Sequence, residues 1–170
     1  MENYTSLLEE VLEAWSNTRA GVIDELKNIP GSRYDFRPAE NVRSVPDVGI
    51  HILEVAMMMT GELTRPDTNF RRAPWPQLLN QYAAQAYRVK TKQELIKLLQ
   101  SQLKEGIGTF RKAGELHMLQ FITRFDGKRG TRLAWLNHVI EQEAYHCGQL
   151  TTYARVLGLV PALTQKILGG

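Results

Sequence analysis

Residues 131–157 read TRLAWLNHVIEQEAYHCGQLTTYARVL, and the periodicity of this stretch decides the fold. At about 100° per residue, Leu136, Val139, Ile140, Cys147, Leu150 and Ala154 share one apolar arc, which predicts a helix from Thr131 to about Leu157. Gly158 and Pro161 stand where such a helix stops. His138, Gln142, His146, Gln149 and Tyr153 form a polar row along the border of the arc. That border is where the core of a helical bundle meets a solvent-accessible groove.

Three further segments share the period. Leu7, Leu8, Val11, Leu12, Trp15, Val22, Ile23 and Leu26 predict a first helix from about Tyr4 to Asn28, ended by Pro30-Gly31. A second helix opens at Ser44, with Pro46 in its first turn and Asp47 against the positive end of its dipole. It runs to about Leu63, with Val48, Ile52, Val55, Ala56, Met59 and Leu63 inward. Thr91 and Glu94 form a capping box ahead of a third helix, which reaches about Lys112 and is weakened in its last turns by Gly106 and Gly108. Pro66, Pro74 and Pro76 punctuate the long connection over residues 64–90, with a short helix near Pro76 to Ala86. Met118 to Phe125 reads as extended, with Asp126-Gly127 as a turn. The prediction is an all-α fold, a four-helix bundle with a long crossover connection between helices two and three.

Composition agrees with one globular domain over residues 1–170: 43% of residues are hydrophobic and 23% charged. A net charge of +3 is too small to predict nucleic-acid binding. Cys147 is the single cysteine, so no internal disulfide can form and a reducing cytoplasm is the expected compartment. The acidic, polar start MENYTSLLEE is unlike a signal peptide, and no apolar run approaches the roughly 18 residues that span a bilayer.

His51 on helix two holds a border position like that of His146, with Asp47, Glu54, Met58 and Glu62 on its face. Imidazoles converging from facing helices are how bundles build metal sites, although a histidine on a semi-apolar face is ordinarily a hydrogen-bonded core residue. His138 lies eight residues before His146, about 12 Å along the axis, too far for both to hold one ion whose ligand nitrogens sit roughly 3–4 Å apart. Glu143 points toward the apolar side, where an ion pair with an arginine of another helix is the favoured role over a catalytic base. Cys147, on the buried arc, reads as a packing residue, as do Trp135 and Tyr153. Arg124, Lys128, Arg129 and Arg132 form a basic run that is either a solvated loop or a grip for an anionic substrate.

The stretch Trp135 to Leu150, with Glu143-x-x-His146-x-Gly148-Gln149, resembles the last-helix signature of the DinB-like proteins. Arg43-Ser44-Val45-Pro46-Asp47 followed by His51-Ile52 resembles that family's second-helix start. The helix order, the crossover and the chain length agree as well. The resemblance implies a four-helix bundle in which three histidines bind a divalent metal, one from the second helix and two from the last, spaced His-x-x-x-His. The ligands fall on His51 and His146, while the middle position is Gln142, a weak amide donor. Position 145, often a further histidine in the family, is Tyr145 here. The implied site is His51 and His146, completed by Gln142 or water, around Zn or Ni. It implies a metal-dependent thiol S-transferase acting on a small, anionic thiol, and a homodimer. A non-catalytic, stress-linked dimer that binds a ligand or partner at a degenerate metal site, and a metal-dependent hydrolase, stand as alternatives.

Overall fold

A computed structural model describes residues 6–169. The start of the first helix at Tyr4, expected above, lies outside the described residues. Among them, α1 (Leu7–Asn28) is capped by Ser6, whose hydroxyl accepts from the Glu9 N–H at 3.1 Å. Next, α2 (Val45–Leu63) opens with a full capping box: Ser44 accepts from the Asp47 N–H, and Asp47 accepts from the Ser44 N–H. The short α3 (Trp75–Tyr82) and a 3-10 turn at Ala86–Arg88 occupy the crossover, and Thr91 with Glu94 opens α4 (Lys92–Ala113). Then follow α5 (Glu115–Met118), β1 (Phe121–Thr123), β2 (Arg129–Thr131), α6 (Arg132–Val156) and α7 (Ala162–Leu168).

The four long helices α1, α2, α4 and α6 form the expected four-helix bundle. Side-chain pairings fix their directions. Trp15 meets Glu143 and, further on, Glu25 meets Thr151, so α1 and α6 run parallel. Gly49 lies against Leu95 near the starts of α2 and α4, and Gly106 lies against Thr60 near their ends, so these two are also parallel. Arg19 bonds Gln102 whereas Glu9 bonds Arg111, so α1 and α4 are antiparallel. His51 meets Gln142 while Arg132 reaches the carbonyls of Arg65 and Pro66, which sets α2 antiparallel to α6. Because α2 and α4 are parallel neighbours, residues 64–91 must return the length of α2, about 28 Å at 1.5 Å per residue. That requirement is the physical content of the crossover.

Two packed cores fill the bundle. One gathers Leu12, Trp15, Met58, Met59 and Phe110; the other gathers Leu26, Ile52, Leu53, Leu99 and Leu150. Gly106 does not simply weaken α4. A Cβ there would sit 2.6 Å from the Trp15 ring, so glycine is what lets α1 and α4 close around the indole.

Several local expectations change. The short crossover helix ends at Tyr82, not near Ala86. Met118 to Phe125 is extended only over Phe121–Thr123, which pairs antiparallel with Arg129–Thr131 across the Asp126-Gly127 turn. Beyond Pro161, α7 adds a helix whose N-terminus is capped by Glu25: the Ala162 N–H donates to its carboxylate at 2.9 Å. A period of 3.6 cannot be recognised in so short a segment, and Glu25 is distant in sequence.

Candidate metal centre

Burial of Val48, Ile52 and Val55 turns His51 to the edge of the core, where its side chain is 14% exposed. Burial of Val139, Glu143 and Leu150 does the same for His146, though more deeply, at 3% exposure. The antiparallel crossing of α2 and α6 then brings the two rings to 4.9 Å between centroids, with planes at 90°. Gln142, one turn before His146, places Nε2 3.2 Å from His51 Nε2. The three residues expected at one site are therefore in one cluster.

Hydrogen-bond roles fix the state of each ring. His51 Nδ1 is 2.6 Å from Glu54 Oε1, and the Tyr87 hydroxyl donates to Glu54 Oε2 at 2.9 Å. A carboxylate oxygen only accepts, so Nδ1 carries a proton, and Nε2 is the nitrogen that faces the Gln142 amide. His146 Nδ1 is 2.7 Å from Gln149 Oε1, which likewise leaves Nε2 as the lone-pair nitrogen. Burial lowers the His146 pKa below 6.5; the Gln149 bond and Glu143 work against this, and the charge of Arg43 works with it. The net result favours the neutral imidazole that metal binding requires. Burial raises the Glu54 carboxyl, but bonds from His51 and Tyr87 outweigh it and hold the group below its usual value.

Beneath His146, Glu143 is locked rather than reactive. Arg19 donates to it through Nε at 2.8 Å and Nη2 at 2.5 Å, and the Trp15 indole N–H donates at 2.7 Å. The other arm of Arg19 reaches Leu99 O at 2.8 Å and Gln102 Oε1 at 3.0 Å. All of these side chains are buried. Glu143 is thus the expected partner of an arginine on another helix, tying α1, α4 and α6 together under the histidine pair.

Other candidates fall outside the cluster. His138 is 47% exposed, pairs with Glu141 at 3.5 Å and stacks on Trp135. Tyr153 donates to the Arg43 carbonyl at 2.8 Å, pinning the entry to α2 against α6. Cys147 is half-buried beside Gly21, and burial pushes its thiol up to about 11, away from the thiolate form at neutral pH. The basic run is divided. Arg132 is buried and bonds His117 Nε2 at 2.8 Å and the carbonyls of Arg65 and Pro66, so it is a structural bolt. Arg124, Lys128 and Arg129 lie in the hairpin ahead of α6, about 20 Å along that helix from His146. Arg43, at the entry to α2, adds positive charge near His146 and Glu54.

Glu54 was legible as a residue three positions from His51 on the same face. Tyr87 gave no sequence signal, because it arrives from a 3-10 turn in the crossover.

Among the described residues, no three His, Cys, Asp or Glu side chains are grouped to hold a metal. The chemistry of the donor set still suits a borderline cation weakly: two anchored imidazoles present Nε2 lone pairs, and Gln142 can offer an amide oxygen in place of its nitrogen.

The chain is similar in fold to several solved structures. A DinB-like protein, YjoA of Bacillus subtilis, superposes with a TM-score of 0.65 at 20% identity over 88% of this chain and 92% of that one. YfiT of Bacillus subtilis, described as a probable metal-dependent hydrolase with an unusual four-helix bundle topology, gives 0.66 at 14% identity over 94% and 93%. The mycothiol-dependent maleylpyruvate isomerase gives 0.67 at 14% identity over 86% of this chain, which spans only 63% of that protein. No curated protein matches. The sequence profile of the DinB family matches residues 1–167, and the chain belongs to the DinB family.

Proposed function

We propose that this chain holds a divalent transition metal, Zn or Ni, between α2 and α6 and uses it to transfer a small thiol to an electrophile. Nε2 of His51 and Nε2 of His146 would be the strong ligands and the Gln142 amide oxygen a weak third. The observation that carries this reading is the pair of imidazoles 4.9 Å apart, each with Nδ1 tied to an acceptor. A metal bound there supplies Lewis acidity that lowers the pKa of a thiol into the neutral range. His51 and His146 hold, Glu54 and Gln149 orient, and the buried wall behind His146 excludes water. Similarity in fold to a thiol-dependent isomerase and to a probable metal-dependent hydrolase supports the class of chemistry. The reading includes a homodimer in the cytoplasm, where small thiols stay reduced.

The test is a conjugation assay with the metal-loaded chain, a panel of small thiols and a chromogenic electrophile. Turnover that disappears in His146→Ala is the expected result; none with the metal fully loaded would refute thiol transfer, and ester cleavage in its place would favour hydrolysis. One observation favours a second reading, a non-catalytic, stress-linked binding protein with a degenerate site: the Gln142 amide already satisfies the His51 lone pair. If Gln142→His raises metal affinity sharply and confers turnover that the native chain lacks, that second reading holds.

A further inference from the structure

Tyr87 lies in the turn Ala86–Arg88 at the end of the crossover, and 44% of its surface is exposed. A tyrosine so placed needs no protein partner, since water satisfies its hydroxyl. Yet the hydroxyl reaches Glu54 Oε2 at 2.9 Å, while Oε1 of the same carboxylate faces His51 Nδ1 at 2.6 Å and His51 Nε2 faces the Gln142 amide at 3.2 Å. The chain of donors and acceptors has one consistent direction. Tyr87 donates, Glu54 accepts twice, His51 donates through Nδ1 and accepts at Nε2, and Gln142 donates. Four residues from three separate elements take part, and none of the four assignments can be reversed alone without leaving two lone pairs or two protons face to face.

From this we infer that Tyr87 and Glu54 are positioning residues for His51, which together fix its tautomer and ring orientation so that the Nε2 lone pair faces Gln142 of α6. Without the carboxylate, the Gln142 amide alone sets the tautomer, and once that amide turns to present its oxygen the proton can move to Nε2, which closes the ring to any ligand. Without the phenol, Glu54 keeps one charge-assisted bond instead of two and the carboxylate is free to rotate off α2. The crossover therefore has a use beyond joining two parallel helices: it delivers the hydroxyl that holds the carboxylate in place. Partial desolvation where it meets Glu54, together with the bond to that carboxylate, pushes the Tyr87 hydroxyl up to about 12, so the donor stays protonated across the physiological range.

The inference deepens the metal-site reading but depends on it only for the effect on metal affinity. Nitrogen-15 NMR of the full-length chain, labelled at histidine and without added metal, reads the tautomer directly. His51 should show a protonated Nδ1 and a bare Nε2. Glu54→Ala should move the proton toward Nε2, and Tyr87→Phe should give a mixed population. The helical circular dichroism of Tyr87→Phe should stay unchanged, because the ring is at the surface. Zinc titration should show affinity about 10–100-fold lower for Glu54→Ala, the usual loss when the anchor of a ligand histidine is removed. A bare Nδ1 in the native chain would overturn the inference, as would a Tyr87→Phe variant with tautomer and zinc affinity both unchanged. If the native chain binds no zinc, the metal reading fails while the tautomer still decides the role of Tyr87.

Discussion

Replacing Arg19 by methionine should destabilise the fold severely, because it removes the counter-ion of a buried carboxylate while keeping the volume of the side chain. Glu143 would lose both Arg19 bonds and keep only the Trp15 indole, at 1% side-chain exposure. Breaking one partner of a buried pair costs about 3–5 kcal/mol, since the surviving charge stays desolvated. Leu99 O and Gln102 Oε1 lose their donor as well. For a chain of this size, about 2–4 °C per kcal/mol translates this into a Tm lower by roughly 6–20 °C. Urea unfolding followed by circular dichroism measures the loss. The double variant Arg19→Met with Glu143→Leu should recover most of it, because an apolar pair of similar volume carries no desolvated charge; the Trp15 N–H left without an acceptor limits the recovery by about 1–3 kcal/mol. A single variant that loses less than about 1 kcal/mol, or a double variant less stable than the single, would refute the argument, since typical losses for this change are several times larger.

Other expectations follow from the same contacts. Gly106→Ala should cost about 1–3 kcal/mol by forcing a methyl against the Trp15 ring, whereas Gly108→Ala, which meets nothing within 4 Å, should stabilise α4 by up to about 1 kcal/mol; thermal melts separate the two. Glu62 is buried, which raises its carboxyl, yet bonds from Arg72 and Tyr82 outweigh this and hold the folded-state pKa below the unfolded one. Its contribution is therefore present above about pH 4.3, the unfolded value, and is lost as pH falls through the lower folded pKa; Glu62→Gln should show a smaller drop in urea midpoint between neutral and acidic pH. Cys147 should react slowly with a disulfide reagent at neutral pH in the native chain and rapidly once unfolded, because burial keeps its thiol protonated.

What the sequence made legible was whatever repeats at 3.6 residues. The arcs through Leu12 and Trp15, through Val48 and Ile52, and through Leu136, Val139 and Leu150 all face the interior. The caps at Ser44 and Thr91 were readable because a capping box is a local device with fixed spacing. Helix direction was not readable, because it depends on pairings such as Glu25 with Thr151 that have no local signature. For the site, His51 and His146 were accessible from their border positions, Gln142 from the family resemblance, and Glu54 from its spacing. Arg19 hid inside the apolar stripe of α1, Arg132 inside a run of surface-like charges, and Tyr87 in a connection whose path only the tertiary structure defines.

The proposed function stands or falls on whether His51 and His146 together bind a metal ion. Isothermal titration of zinc into the full-length chain, purified without a nickel column and stripped with a chelator, tests it most directly. One equivalent should bind, with binding lost in His51→Ala and in His146→Ala and tightened in Gln142→His. Heat of binding that is absent in the native chain, or that survives both alanine variants, would contradict it.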